Sequence, residues 1–222
     1  MAETPNRPVL RVDIISDVVC PWCAVGYNQL AFAARRAGVQ LGIHWQPFEL
    51  NPGMVPEGED LREHLAAKYG STAEQSAQVR AQLTELGEAL GFTFRFFKGM
   101  RIYNTFQAHQ LIEWAEERGK GHEMKQALLA AYFTDGKNVS DPEVLTQAAE
   151  NLRLDGSEAR AALDSGKHAD SVRQRAAFWV NQGIRGVPAM AFDGRHLVTG
   201  AQGVENYASV LEQLGYTGNT FT

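Results

Sequence analysis

The chain has 222 residues, of which 44% are hydrophobic and 21% are charged, and its formal net charge is −5. This composition is typical of a soluble globular protein that forms one large domain, or one domain with an insertion. The negative charge and the lack of a basic cluster exclude nucleic acid as an expected partner. No apolar run approaches the roughly 20 residues of a membrane span, which excludes the membrane as well.

The N-terminus has no pattern of a secretory signal. Residues 1–8 lack the charged and apolar segments of such a signal, and the apolar run that follows, residues 9–15, is broken by Arg11 and Asp13. We therefore expect a cytoplasmic protein, unless processing has already removed a signal. In that reducing compartment a cysteine pair is more often catalytic or redox-sensing than structural.

The chain begins with a predicted β-α-β unit. Apolar residues predict strands from Val9 to Asp17 and from Gln40 to Leu50, with a helix between them that ends near Gly38. Two strands joined in this way are expected to be parallel, with a right-handed crossover.

A long helical region follows. Regularly spaced apolar residues predict several helices, and Ser71 with Glu74 has the spacing of a capping box at the start of one of them. We interpret residues 58–183 as an all-helical insertion domain that includes a long return helix over residues 167–183.

The C-terminal part returns to β structure. Residues 189–192 and 196–199 flank a predicted turn at Asp193 and Gly194 and are expected to form a hairpin, followed by a terminal helix. The element order therefore predicts an α/β protein with a thioredoxin-like fold and an inserted all-helical domain. The thioredoxin-like domain is expected to be discontinuous, over residues 1–57 and 184–222.

Both cysteines lie in one tetrapeptide, Cys20-Pro21-Trp22-Cys23, between the first predicted strand and its helix. This position places Cys20 near the helix N-terminus, where unpaired backbone N–H groups stabilise a thiolate. Pro21 suits the first helical turn because it has no N–H to leave unpaired. Cys23 lies nearly one turn later on the same face, close enough to attack a mixed disulfide on Cys20. The spacing therefore predicts a redox-active dithiol.

Two other interpretations of the cysteine pair are disfavoured. A zinc site needs further Cys or His ligands, but there is no third Cys, and the six histidines form no pair with ligand spacing. Two inert buried cysteines are the default for isolated Cys, but the strand-to-helix position and the intervening Pro21 and Trp22 favour redox chemistry. We therefore expect no metal and no cofactor beyond the Cys20–Cys23 pair.

Five segments match a known family. They are Ser16-Asp17-Val18-Val19-Cys20-Pro21-Trp22-Cys23, Gln46-Pro47-Phe48-Glu49-Leu50-Asn51-Pro52, Asn104-Thr105-Phe106-Gln107-Ala108-His109, Gly186-Val187-Pro188 and Gly200-Ala201-Gln202. Over most of its length the chain resembles the DsbA-type thiol:disulfide oxidoreductases, specifically the FrnE-like branch. The resemblance implies dithiol-disulfide oxidoreductase or isomerase activity on thiol- or disulfide-bearing proteins or small thiols. It also implies Cys20 as nucleophile and Cys23 as resolving thiol, with glutathione as a candidate electron donor.

Pro188 is the second feature of the resemblance. A proline can begin a strand without loss of a ladder hydrogen bond, which is the structural interpretation. In thioredoxin-like proteins the equivalent proline is cis and lies beside the cysteine pair, and the residue before it pairs with the substrate. The resemblance therefore implies a cis Val187–Pro188 bond, with Val187 and Pro188 as substrate-binding residues.

Trp22 distinguishes this chain from its periplasmic relatives. The periplasmic enzymes that form disulfides usually have His at this position, and some FrnE-like proteins have a second C-x-x-C that is absent here. A neutral Trp22 adds no positive charge near Cys20, so we expect a comparatively reducing protein. Trp22 either binds an incoming polypeptide through its apolar surface or shields the disulfide.

Three further residues are candidates for proton transfer. Asp13 and Glu49 lie on or beside strands expected to flank Cys23, where a carboxylate could accept the Cys23 proton. The alternative is that both are ordinary surface carboxylates. His109 lies next to an apolar helical stripe and is interpreted as a packed, hydrogen-bonded histidine rather than a catalytic base.

Two other functions fit the same architecture. A glutathione-dependent isomerase or transferase, of the hydroxychromene-carboxylate isomerase or kappa type, generally has Ser in place of the first Cys. A non-enzymatic chaperone or binding module would use the cleft between the domains and would not need two cysteines three residues apart. The presence of both Cys20 and Cys23 favours the oxidoreductase.

Overall fold

The computed structural model describes residues 9–216 and has an α/β architecture. Its main sheet has four strands, β1 (Val9–Ser16), β2 (Gln40–Pro47), β5 (Ala189–Phe192) and β6 (His196–Thr199). Their order across the sheet is β2-β1-β5-β6.

The first two strands form the predicted β-α-β unit. β1 and β2 are parallel, in a register that pairs Val9 with Gln40, and α1 (Pro21–Ala37) connects them. β5 and β6 are antiparallel neighbours and form the predicted hairpin, and β5 also pairs antiparallel with β1. The last helix, α9 (Val204–Gln213), packs against α1. The thioredoxin-like fold predicted from the element order is confirmed.

Between β2 and β5 the chain is mostly helical. The helices are α2 (Leu61–Tyr69), α3 (Ala73–Leu90), α4 (Phe106–Glu116), α5 (Gly121–Phe133), α6 (Pro142–Asn151), α7 (Gly156–Ser165) and α8 (Ala169–Asn181). The expectation of an all-helical segment misses one detail, because β3 (Glu59–Asp60) and β4 (Arg101–Ile102) form a two-residue antiparallel ladder there. The domain limits themselves, 1–57 with 184–222 and 58–183, stay a prediction.

The start of α3 is shifted by one residue from the predicted capping box. Thr72, not Ser71, is the N-cap; its side chain accepts a hydrogen bond from the backbone N–H of Gln75. The side chain of Gln75 in turn accepts from the backbone N–H of Thr72, which completes the box. Both pairs of residues have the required spacing, so the pattern predicts the helix start to within one residue.

Gly26 allows a close approach between α1 and the loop before β5. A Cβ atom at this position would lie 3.1 Å from Cγ of Pro188 and 3.3 Å from Cε of Met190. The absence of a side chain therefore lets the helix that begins at the cysteine pair pack directly against Pro188.

Candidate active site

The cysteine pair lies where β1 ends and α1 begins. Cys20 is the N-cap of α1, with extended backbone angles (φ −92°, ψ 110°), and Pro21 occupies the first helical position. The first turn of the helix contains no acidic residue. The N-terminal N–H groups and the positive end of the helix dipole therefore face Cys20 without a competing negative charge on that turn.

Both cysteines are free thiols in this structure, and both are buried. Cys20 is 3% exposed and Cys23 is fully buried. Burial, followed by a hydrogen bond to Cys20, raises the pKa of the Cys23 thiol well above its ordinary value. Cys23 thus retains its proton at neutral pH.

The loop before β5 brings Val187 and Pro188 to the cysteines. The Val187–Pro188 peptide bond is cis, as predicted. The Cys20 thiol donates a hydrogen bond to the carbonyl oxygen of Val187 across 3.6 Å. Two segments separated by 167 residues in the chain therefore meet at the sulfur atom of Cys20.

A cleft of about 360 Å³ opens beside Cys20. Cys20, Trp22 and Val187 line one side, and side chains of α2 and α3 line the other. Its lining is mostly apolar and includes Leu61, Leu65, Tyr69, Val79, Leu83 and Phe96. Trp22 is partly buried and contributes to the wall of this cleft.

Asn51 gives the cleft an oriented polar group that sequence analysis did not single out. Its Oδ1 atom accepts hydrogen bonds from Nζ of Lys68, at 2.6 Å, and from Nε2 of His64, at 3.0 Å. Because Lys68 can only donate, these contacts identify the amide oxygen and leave the NH₂ group of Asn51 free to donate elsewhere.

His109 and Asp17 are packed together, and both are buried. Nε2 of His109 donates to the carbonyl oxygen of Phe48 at 3.1 Å and lies 3.5 Å from Oδ1 of Asp17. The other carboxylate oxygen of Asp17 accepts from the backbone N–H of Leu50 at 2.8 Å. Burial lowers the pKa of His109, so the interpretation of His109 as a packed, hydrogen-bonded residue agrees with its contacts.

Lys125 is a fully buried lysine on α5 that sequence analysis missed. Its Nζ atom has no hydrogen-bond partner and lies 5.3 Å from the ring centroid of Trp45. Burial lowers its pKa to about 8, against the opposing charge interactions with Cys23, Asp17 and Cys20.

The structure shows different surroundings for the two carboxylates that the sequence offers as proton acceptors. Asp13 is buried, not at the surface, and accepts hydrogen bonds from Arg11, at 2.9 Å, and Gln46, at 2.7 Å. Burial, with the charge of Asp17, raises the pKa of Glu49 to about 7. Neither carboxylate is among the groups that act on the pKa of Cys23, which are Cys20, Lys125 and Asp17.

No metal site or membrane span was found in the described part of the chain. Within residues 9–216, no three His, Cys, Asp or Glu side chains are grouped so that they could hold a metal ion. Over the same residues, no helix combines the length and apolar character that crossing a bilayer requires.

The family assignment follows from comparison with known proteins. The model of the DSBA-like thioredoxin domain matches residues 11–212. The chain belongs to this family.

Individual relatives agree with that assignment. The "probable DsbA oxidoreductase SCO1869" from Streptomyces coelicolor is 33% identical, with a TM-score of 0.84 over 92% of this chain and 89% of that one. The "Uncharacterized protein YwbO" of Bacillus subtilis (strain 168) is 27% identical over 91% of this chain and 96% of its own length. The cytosolic disulfide reductase DsbM from Pseudomonas aeruginosa, solved with GSH, shares the fold at 19% identity, with a TM-score of 0.63 over 92% of this chain and 98% of that one.

Proposed function

We propose that this protein is a dithiol-disulfide oxidoreductase or isomerase that acts on disulfide- or thiol-bearing proteins or small thiols. One observation supports this function above all others. Cys20 and Cys23 lie at the N-terminus of α1, and the carbonyl oxygen of Val187 lies 3.6 Å from the Cys20 sulfur. Family membership supports the same chemistry.

In the reducing direction, the Cys20 thiolate attacks one sulfur of a substrate disulfide. A bond forms between Cys20 and that sulfur, and the other substrate sulfur leaves as a thiolate and takes a proton from water. Cys23 then attacks the Cys20 sulfur, the Cys20–Cys23 disulfide forms, and the second substrate thiol is released. The substrate gains two electrons and the protein loses two. A reductant such as glutathione would restore the dithiol.

Val187, Pro188 and Trp22 are proposed to bind the substrate. The Val187 backbone lies next to Cys20 and can pair with a substrate placed there. Trp22 offers apolar contact area on the cleft wall. Cys20 is 3% exposed beside a cleft of about 360 Å³, a geometry that favours small disulfides or an unfolded polypeptide segment over a rigid protein surface.

The compartment and the reductant are part of the same proposal. The cytoplasm is the compartment proposed here, because the fold is shared with DsbM, which is described as a cytosolic disulfide reductase. The similarity in fold to DsbM, which was solved with GSH, makes glutathione the first electron donor to test.

The roles of the cysteines can be separated with two nearly isosteric variants. We expect Cys23→Ser to form mixed disulfides with a disulfide-bearing protein but to be unable to resolve them, so that covalent complexes accumulate on non-reducing electrophoresis. Cys20→Ser should trap none and lose reductase activity. Complexes trapped by Cys20→Ser alone would reverse the assigned roles. Full turnover in both variants would exclude thiol exchange. A variant with both Cys20 and Cys23 replaced by Ser distinguishes the other two functions. If it kept the full activity of the wild type, as a glutathione-dependent isomerase or as a chaperone, thiol exchange would also be excluded.

A further inference from the structure

Arg80 of α3 lies in the cleft that contains Cys20 and also borders a second cavity. The cleft measures about 360 Å³ and the second cavity about 420 Å³. Leu61 and Phe96 line both cavities as well. Because three residues are shared, the two cavities are direct neighbours. Their volumes are typical of sites that bind small molecules.

The second cavity is cationic, although the formal net charge of the chain is −5. Arg62, Arg80 and Lys98 line it, and Asp60 is its one acidic residue among those the structure describes. Oδ1 of Asp60 already accepts hydrogen bonds from the backbone N–H groups of Arg62 and Glu63 at the start of α2. Positive charge therefore dominates this side of the cleft and attracts anions.

The guanidinium group of Arg80 is available to a ligand. The residue is half-buried, and its side chain forms no ion pair or hydrogen bond with any of residues 9–216. Within the same range, no Asp or Glu lines the cleft beside Cys20. A guanidinium group binds a carboxylate through two parallel hydrogen bonds. Arg80 can therefore hold a carboxylate inside the cleft that contains the nucleophile.

The remaining lining of the cleft indicates the rest of the substrate. It is mostly apolar, with Trp22 on the side of Cys20, and so favours an apolar segment over a polar one. We propose that the site takes small disulfides in which an apolar or aromatic segment joins the sulfur atom to a carboxylate. The segment lies in the cleft and Arg80 binds the carboxylate, while Arg62 and Lys98 add to the positive field. This inference rests on the proposed function and narrows its substrate class; the exchange steps are unchanged.

Two reagents of nearly the same shape test the charge requirement. In 5,5′-dithiobis(2-nitrobenzoate) each aromatic ring carries a carboxylate, and in 5,5′-dithiobis(2-nitrobenzamide) a neutral carboxamide takes its place. Attack by the Cys20 thiolate on either disulfide releases a coloured thiolate, which stopped-flow absorbance follows. We expect Arg80→Met to lower the rate constant about tenfold for the benzoate, which corresponds to about 1.4 kcal/mol, and less than twofold for the benzamide. Each variant is compared with wild type on the same reagent, so the intrinsic reactivity of the reagent cancels.

Two controls separate a charge contact from a structural role of Arg80, which would slow both reagents together. Arg195→Met removes the same charge from an exposed turn between β5 and β6 and should leave both rate constants unchanged. Added salt should lower the benzoate-to-benzamide ratio of the wild type and should change that of Arg80→Met much less, because salt screens the charge contact.

A benzoate-to-benzamide ratio within threefold of wild type in Arg80→Met would overturn the proposal. Should Arg80→Met fail to fold, Lys98→Met, in an exposed turn, decides the same question: its ratio should fall about threefold, and an unchanged ratio would overturn the proposal. One equivalent of the benzamide reagent should release a second thiolate when Cys23 resolves the mixed disulfide. Wild-type protein that releases no second thiolate would refute the proposed function itself, whatever its charge selectivity.

Discussion

Replacement of Lys125 by Met should make the protein more stable. The pKa of Lys125 falls from 10.5 to about 8 because the folded protein buries the amine. One pKa unit corresponds to 1.36 kcal/mol, so the protonated amine costs up to about 3 kcal/mol of folding free energy. For a chain of this size, such a gain corresponds to a rise in Tm of about 6 to 12 °C.

The direction of this pKa shift determines how the stability difference between wild type and Lys125→Met changes with pH. Between about pH 8 and 10.5 the unfolded chain binds more protons than the folded one, so the stability of the wild type should rise with pH across that window. Below pH 8 the amine is protonated in both states and the full cost is present. The advantage of Lys125→Met should therefore be largest at pH 7 and should shrink as the pH approaches 10.5.

Urea unfolding of the reduced proteins at pH 7, 8, 9 and 10 measures the effect, with intrinsic tryptophan fluorescence as the signal. The exposed-site control Lys98→Met should stay within about 0.5 kcal/mol of wild type at every pH. A Lys125→Met protein that is less stable than wild type at pH 7, or one whose advantage is the same at pH 7 and pH 10, would refute the assignment of Lys125 as a desolvated ammonium.

Three further predictions concern other parts of the site. Burial raises the pKa of Glu49 to about 7, so the ionised carboxylate destabilises the fold, and this loss of stability develops as the pH rises from about 4.5 to 7. Glu49→Gln should therefore be about 1 kcal/mol more stable than wild type at pH 8, after allowance for solvent screening, and equally stable at pH 4. Gly26→Val should lower the free energy of unfolding in urea by about 1–3 kcal/mol because the new side chain contacts Pro188. Stability equal to that of the wild type would mean that Pro188 can shift to make room. With neutral Trp22 beside Cys20, the reduction potential measured against glutathione should lie nearer thioredoxin's, about −270 mV, than DsbA's, about −120 mV; a value within about 30 mV of the latter would contradict this.

The sequence predicts the fold and the cysteine pair because both depend on local patterns. The strand that precedes Cys20, the proline at the first helical position and the β-hairpin near the C-terminus each have signals within a few residues of one another. The two-residue ladder of β3 and β4 has no such signal, since a strand that short shows no alternation.

Asp13 and Lys125 show where sequence patterns become insufficient. Side chains alternate along β1, and Asp13 lies on the same face as Arg11, beside α8, rather than toward Cys23. Lys125 precedes Leu128 and Leu129 by three and four residues, which places it on the apolar side of its helix. A lysine at such a position usually extends to solvent, but α5 packs against α4, α6 and β2, and Lys125 is fully buried.

The separation of 167 residues between Cys20 and Val187 has a consequence for protein synthesis. At translation rates of 5–20 residues per second, the cysteines are made roughly 8 to 33 s before the segment that covers them. During that interval both thiols are on an unfinished chain that lacks the Val187 carbonyl, although α2 and α3 are made well before it. The pair is therefore most open to unwanted oxidation before the protein is complete, and the redox conditions around the ribosome influence whether the newly made protein carries a dithiol or a disulfide.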